Sequence, residues 1–170
     1  MFVADIHGNL EIFQKCIEIF NKEKADKIVF LGDTGAGYYN EENNQKIAEI
    51  LNSMKEKVEV IRGNCDSSDF EDLLEFEVFD DDILYINGKF VSVEHGHRYN
   101  AYNLPPNCGD IIIQGHTHVP MLVKSGGRIL ANPGSPTRPR GTDLKCYIII
   151  DEKNIELKNF EQEILSNIVL

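Results

Sequence analysis

The sequence predicts an α/β protein: a sandwich of two mixed β-sheets flanked by helices, in four layers α/β/β/α, within one domain spanning residues 1–170. Three observations point there. In the N-terminal half, short apolar runs alternate with helix-period segments, the pattern of parallel strands joined by right-handed crossovers. In the C-terminal half, apolar runs are arranged in pairs around the turn dipeptides Asn87-Gly88, Gly126-Gly127 and Lys153-Asn154, the mark of hairpins. A length of 170 residues suits one core, and the chain carries no internal repeat, low-complexity tract or linker.

Taken in order, Phe2-Val3-Ala4 reads as a short strand that stops at Asp5. Asn9 suits a helix N-cap, because its side chain can accept from a free first-turn N–H. Leu10, Phe13, Ile17 and Phe20 then recur at spacings of three and four, one buried helix face. Ile28 to Leu31 is fully apolar, as a central strand covered on both faces should be. A second helix pattern, Ile47, Ile50, Leu51 and Met54, runs between a loop at Gly35–Tyr39 and the charged Lys55–Lys57. Val58 to Ile61 is the third strand. Beyond it, the expected hairpins are Ile83–Ile86 with Phe90–Val93, Met121–Lys124 with Arg128–Ala131, and Cys146–Ile150 with Ile155–Leu157. Asp110 to Ile113 is a lone strand ending near Gly115, and Ile164 to Leu170 is either a short strand or a frayed tail.

Composition narrows the function classes. With 28 acidic and 17 basic residues, the net charge is −11, which argues against a surface that neutralises nucleic-acid phosphates. No apolar run approaches a membrane span and no basic stretch leads into an apolar one at the N-terminus, so a soluble, cytoplasmic protein without a membrane partner is expected. The four cysteines, Cys16, Cys65, Cys108 and Cys146, are scattered and form neither a zinc-finger nor a disulfide pattern.

The chemistry lies in where the metal-capable residues fall. Asp5 and His7 follow the first strand, Asp33 the second, Asn64 the third, His95 a hairpin strand, and His116 and His118 the lone strand. Each sits just past a strand end close to a glycine, and the crevice outside strand C-termini is where open α/β sheets bind ligands. All five histidines of the chain, His97 included, lie in these loops. Imidazole, carboxylate and amide oxygen together suit Mn, Fe, Co, Ni or Zn better than Ca or Mg. Seven donors are too many for one catalytic ion with an open position, and they suit two ions with one carboxylate bridging.

The ordered motifs Asp5-Ile6-His7-Gly8-Asn9, Gly32-Asp33, Arg62-Gly63-Asn64-Cys65-Asp66, His95-Gly96-His97, Gly115-His116-Thr117-His118 and Asn132-Pro133-Gly134-Ser135 resemble those of the calcineurin-like metallophosphoesterases, in particular small bacterial phosphodiesterases. The resemblance runs from Phe2 to about Arg140, and the family's fold agrees with the sandwich expected above. It implies that Asp5, His7 and His118 hold one ion, that Asn64, His95 and His116 hold a second, and that Asp33 bridges them. It also implies Mn²⁺ as the usual ion, with Ni²⁺, Co²⁺, Fe²⁺ or Zn²⁺ substituting. The reaction implied is hydrolysis of a small phosphodiester by in-line attack of a hydroxide bridging two cations about 3.5 Å apart.

Around this set, Arg98 or Arg138 is expected to neutralise part of the substrate, unless both are solvated loop charges. Larger relatives carry a histidine, thought to help the leaving group, where this chain has Cys65. A thiol is a poorer proton donor than an imidazolium, so phenol-like leaving groups should be favoured. Cys65 is alternatively a small filler, and His97 is the other titratable candidate. Glu94 departs from the small or apolar residue usual there; it pairs with Arg98, supports His95, or faces solvent. The chain also starts closer to Asp5 than the family's first strand usually does, which should weaken that strand. Tyr38 and Tyr39, in the loop from Gly35 to Asn43, and Tyr102, in the loop from Tyr99 to Cys108, are expected to line the pocket. The alternative of another class is a non-catalytic interaction subunit on the same fold. Exposed strand edges leave a homodimer open.

Overall fold

In the computed structural model, residues 1–35, 40–100 and 103–170 are described. Eleven strands and three helices follow in the order β1 (Phe2–Val3), α1 (Leu10–Glu23), β2 (Ile28–Leu31), α2 (Glu41–Ser53), β3 (Val58–Ile61), α3 (Ser68–Glu71), β4 (Asp81–Ile86), β5 (Lys89–Glu94), β6 (Ile111–Gln114), β7 (Met121–Ser125), β8 (Arg128–Asn132), β9 (Cys146–Ile150), β10 (Asn154–Asn159) and β11 (Ile164–Val169) among these residues. They form a six-stranded sheet, β11-β10-β9-β1-β2-β3, and a five-stranded sheet, β4-β5-β6-β8-β7. Both are mixed: β1, β2 and β3 run parallel, as do β5, β6 and β8, while the hairpin partners are antiparallel.

Alternation along each strand feeds two cores. Val3, Ile28, Phe30, Val58 and Val60 face α1 and α2, where they meet Phe13, Cys16, Phe20, Ile47 and Leu51. Phe2, Val29, Leu31 and Ile61 face the second sheet and meet Val91, Val93, Ile111, Ile113, Ile129 and Ala131. Asn9 caps α1 through its Oδ1, which accepts from Ile12 N–H at 3.1 Å, and the helix ends where Lys24 turns left-handed at φ 53°. The fully apolar β2 is explained by its position: both of its faces are covered.

The two-sheet sandwich is the expected one, flanked by few helices. α1 and α2 cover the larger sheet. Against the outer face of the smaller sheet lies the chain around residues 103–109, where Gly109 N–H donates to Ser92 Oγ at 2.7 Å and Pro105, Pro106 and Cys108 adjoin Asp81–Ile83. Three local features differ from expectation or resolve it. Ile164–Val169 is a strand, paired in antiparallel fashion with β10. The turn before β10 is built by Asp151, whose Oδ1 accepts from Lys153 and Asn154 N–H, so Asn154 already belongs to the strand. The helix α3, too short to show a period, starts at Ser67, whose side chain caps Phe70 N–H.

The short β1 is not weakly held. Phe2 pairs with both Val29 and Ile148, and the pairing continues beyond the strand as Asp5 N–H donates to Gly32 carbonyl at 3.1 Å. The C-terminal ends of β1, β2, β3, β5 and β6 thereby open onto one crevice.

Candidate metal centre

Five of the seven predicted donors sit on left-handed backbone: Asp5 (φ 56°), His7 (51°), Asp33 (50°), His116 (64°) and His118 (62°). Such conformations cost a non-glycine residue on the order of 1 kcal/mol or more each and persist only where the surroundings impose them. Here the surroundings are hydrogen bonds between strand-end loops. His7 N–H donates to Asp33 carbonyl (2.7 Å), Gly8 N–H to Thr34 carbonyl (3.0 Å), Gly115 N–H to His95 carbonyl (2.8 Å) and His116 N–H to Asp5 Oδ2 (2.9 Å). Close approach demands glycine at one point in particular. A Cβ on Gly63 would lie 2.1 Å from both the amide nitrogen and Oδ1 of Asp33.

The side chains converge in two overlapping groups. Donor atoms of Asp5, His7 and His118 lie within 4.8 Å of one another, and so do those of Asp5, Asp33 and His95. His118 Nε2 is 3.4 Å from Asp5 Oδ1 and 3.2 Å from His7 Nε2; His7 Nε2 is 3.8 Å from Asp33 Oδ2. His95 Nε2 is 3.5 Å from Asp33 Oδ1 and 3.0 Å from Asn64 Oδ1. His116 approaches through its ring, whose centroid is 5.1 Å from that of His95.

Two imidazoles are oriented from behind. His118 Nδ1 donates to Arg138 carbonyl at 2.9 Å and His95 Nδ1 to Leu31 carbonyl at 2.7 Å. Each therefore presents a bare Nε2 to the crevice when neutral, the usual arrangement of a metal-binding histidine. Burial keeps both, and His7, below the ordinary imidazole range. What the bare nitrogens face is oxygen, Asn64 and Asp33 Oδ1 for His95 and Asp5 Oδ1 for His118, together with His7 Nε2 for the latter. Asp5 Oδ1 is fully buried with no hydrogen-bond partner. Burial, then the Asp33 carboxylate, pushes Asp5 up to about 8. Lone pairs pointing at lone pairs, around an orphaned buried carboxylate oxygen, fit a cation and little else.

The remaining predicted residues fall into two classes. Cys65 lies within the crevice: its Sγ is within 4.8 Å of donor atoms of His7 and Asp33, and its N–H donates to Asp33 Oδ1 at 2.7 Å. Burial, then Asp33, pushes its thiol up to about 11. His97 is exposed at the rim, its ring centroid 5.5 Å from that of His95 and 6.3 Å from that of His116. Arg138 is exposed beside His118. Arg98 is instead tied down, its guanidinium 3.4 Å from Asp80 and 3.5 Å from Asp81. Glu94 neither pairs with Arg98 nor faces solvent: it is 4% exposed and accepts from Gln114 Nε2, its cross-strand neighbour. Tyr38, Tyr39 and Tyr102 lie outside the described residues.

Sequence reasoning passed over the residues that lace the loops together. Asp66 accepts from Gly35 and Gly63 N–H, both at 2.8 Å. Ser135 Oγ donates to Asp5 carbonyl at 2.7 Å and Thr137 Oγ1 to Ile6 carbonyl at 2.9 Å. Asn132, buried, donates to Gly115 carbonyl and accepts from Gly134 N–H. Asp66, Asn132 and Ser135 lie inside the motifs quoted above, so the signal was their fixed place beside the donors.

Comparison with known proteins points to one family. A family model described as the calcineurin-like phosphoesterase superfamily domain matches residues 1–154. Phosphodiesterase YfcE of Escherichia coli strain K12 is 33% identical over 162 residues, covering 89% of this chain and 86% of its own. The solved structure of YfcE, a phosphoesterase from E. coli, superposes with a TM-score of 0.89 at 30% identity, covering 99% of this chain and 97% of its own. Vacuolar protein sorting 29 from Cryptosporidium parvum, 15% identical, shares the fold with a TM-score of 0.65 over 99% of this chain and 96% of its own.

Proposed function

This chain belongs to the calcineurin-like phosphoesterase superfamily, and from that premise we propose that it is a phosphodiesterase working with two divalent ions, Mn²⁺ being the first candidate. Asp5, His7 and His118 would hold one ion, Asn64, His95 and His116 the other, with Asp33 shared between them. The observation that carries this is the buried, unpartnered Asp5 Oδ1 set against the bare Nε2 of His118 and the Asp33 carboxylate. When bound, such a pair of ions supplies Lewis acidity: it activates water near neutral pH and offsets phosphoryl charge.

The chain's own residues do the rest. The Leu31 and Arg138 carbonyls fix the tautomers of His95 and His118. Cys65 N–H and the His7 N–H bond to the Asp33 carbonyl fix the position of Asp33. His97, at the rim, would hand a proton to the departing ester oxygen, with the Cys65 thiol as the second candidate. A thiol raised to about 11 is a weak acid for that task, in keeping with a preference for phenol-like leaving groups.

The test is hydrolysis of bis(p-nitrophenyl) phosphate by chelator-stripped protein as Mn²⁺ is returned, with Asp33→Asn alongside. Turnover should track the metal, and the variant should lose at least about 100-fold in kcat, as expected when a charged group holding the ions is neutralised. The likeness to vacuolar protein sorting 29 is one of fold alone, so an interaction subunit is the outcome to set against this. It is favoured if folded protein turns over with none of Mn²⁺, Ni²⁺, Co²⁺ or Zn²⁺.

A further inference from the structure

The chain has five arginines: Arg62, Arg98, Arg128, Arg138 and Arg140. Arg62 is forked onto Glu71 and bonded to Asp80, and Arg98 is held by Asp80 and Asp81. Among the described residues, the guanidiniums of the other three make no ion pair, although the protein carries a net charge of −11; Arg128 opens β8, at the sheet end opposite the crevice, which leaves Arg138 and Arg140. Both are exposed, and both are pinned at the backbone to the same donor. Arg138 carbonyl accepts from His118 Nδ1 at 2.9 Å, and Arg140 N–H donates to His118 carbonyl at 3.0 Å. Arg138 N–H further donates to Ser135 Oγ, which in turn donates to Asp5 carbonyl. Their charges reach the crevice: that of Arg138 acts on His7 and His118, that of Arg140 on Asp5 and His118.

Two uncommitted forks whose backbones are fixed at one wall of a phosphoester site are suited to an anion, since a guanidinium offers phosphate or carboxylate two parallel donors. Two divalent ions with the two aspartates would leave two positive charges, already more than the single charge of a phosphodiester needs, so the arginines call for a further anion. We propose that Arg138 and Arg140 form a second anion subsite beside His118, which selects phosphodiesters bearing an additional phosphate or carboxylate on one ester arm. This rests on the phosphodiesterase function proposed above.

A matched pair of substrates tests it: thymidine 5′-(p-nitrophenyl phosphate) with and without a 3′-phosphate. The wild-type protein with Mn²⁺ should favour the 3′-phosphorylated compound in kcat/KM by roughly 10-fold, chiefly through KM, and added salt should shrink that ratio. In the double variant Arg138→Gln, Arg140→Gln the ratio should fall toward one; in Arg138→Lys, Arg140→Lys part of it should survive. A wild-type ratio near one, or a ratio the Gln pair leaves intact, overturns the subsite. If neither compound is hydrolysed, the phosphodiesterase reading is what has failed. Calorimetric binding of thymidine 3′,5′-bisphosphate against thymidine 5′-phosphate then decides the subsite separately. Tighter binding of the bisphosphate that the Gln pair abolishes supports it, and equal affinities overturn it.

Discussion

Replacing Asn132 by alanine should damage both stability and metal binding, although Asn132 is not among the predicted donors. Its Nδ2 donates to Gly115 carbonyl at 2.7 Å and to Thr117 Oγ1 at 3.1 Å, and its Oδ1 accepts from Gly134 N–H at 2.8 Å. It is 3% exposed, so water cannot take its place without opening the loop. Gly115 carbonyl keeps one bond, from Thr117 N–H, whereas the Gly134 N–H has no other partner among the described residues. One orphaned buried donor and one weakened acceptor cost about 2–4 kcal/mol together. The loop that Asn132 braces carries His116 and His118, so Mn²⁺ affinity should fall roughly 10- to 100-fold, the usual effect of losing a support behind a ligand. Urea unfolding of chelated protein, followed by circular dichroism, measures the first quantity, and calorimetric Mn²⁺ titration the second. Asn132→Asp separates bracing from bulk: it keeps the acceptor for Gly134 but sets a carboxylate oxygen against Gly115 carbonyl, so its defect should ease as the pH is lowered. A loss below about 0.5 kcal/mol with Mn²⁺ affinity unchanged would refute the bracing argument.

Three further outcomes follow from the same geometry. Gly63→Ala should cost about 3 kcal/mol or more, because its Cβ would overlap the Asp33 backbone and carboxylate; a thermal melt within a degree of wild type would contradict this. Glu59 is buried with Oε1 unpartnered, and burial raises its pKa despite the Lys27 ammonium at 3.2 Å. A raised carboxylate pKa stabilises the fold below the ordinary carboxyl range and loses that benefit as pH climbs past it. Glu59→Gln should therefore match wild type near pH 4 and exceed it in urea unfolding at pH 7 to 8; a difference that ignores pH would count against the assignment. Finally, Cys65→His should raise kcat on a diester with an unactivated alkyl leaving group at least roughly 10-fold, and leave the p-nitrophenyl diester much less affected, if proton delivery limits the slower substrate.

Much of this was legible in the sequence because strand ends are legible. Apolar runs such as Ile28–Leu31 stop where the chain meets the crevice, and the donors sit at those stops. Less legible was anything that depends on which face of a strand is covered. Glu94 follows Val93 in simple alternation, which suggested solvent as one outcome, yet its face is closed by Gln114 and the chain near residue 108. Period-two patterns identify the two faces but do not say that both are buried. Arg98 and Arg140 show a second limit. Arg98 adjoins the His95 loop in sequence and Arg140 follows the Asn132–Ser135 loop, but only the fold reveals that Asp80 and Asp81 occupy the first and that, among the described residues, no carboxylate pairs with the second. The left-handed donors were equally invisible, since a side chain's backbone angle is imposed here by hydrogen bonds from loops distant in the chain.

The position of β1 bears on the order of events during synthesis. Its two residues lie between β2, which leaves the ribosome soon after, and β9, which begins at Cys146. Asp5 is thus tethered on one side early, but its other neighbours, Ser135 and the strand that pairs with Phe2, arrive only when the chain is nearly complete. The donor loops bond to one another only once His95 and His116 have been made, and the Ser135 and β9 side of Asp5 comes later still. Ion capture becomes a late event, and an unfinished chain presents scattered aspartates and histidines rather than a trap for whichever metal is most abundant.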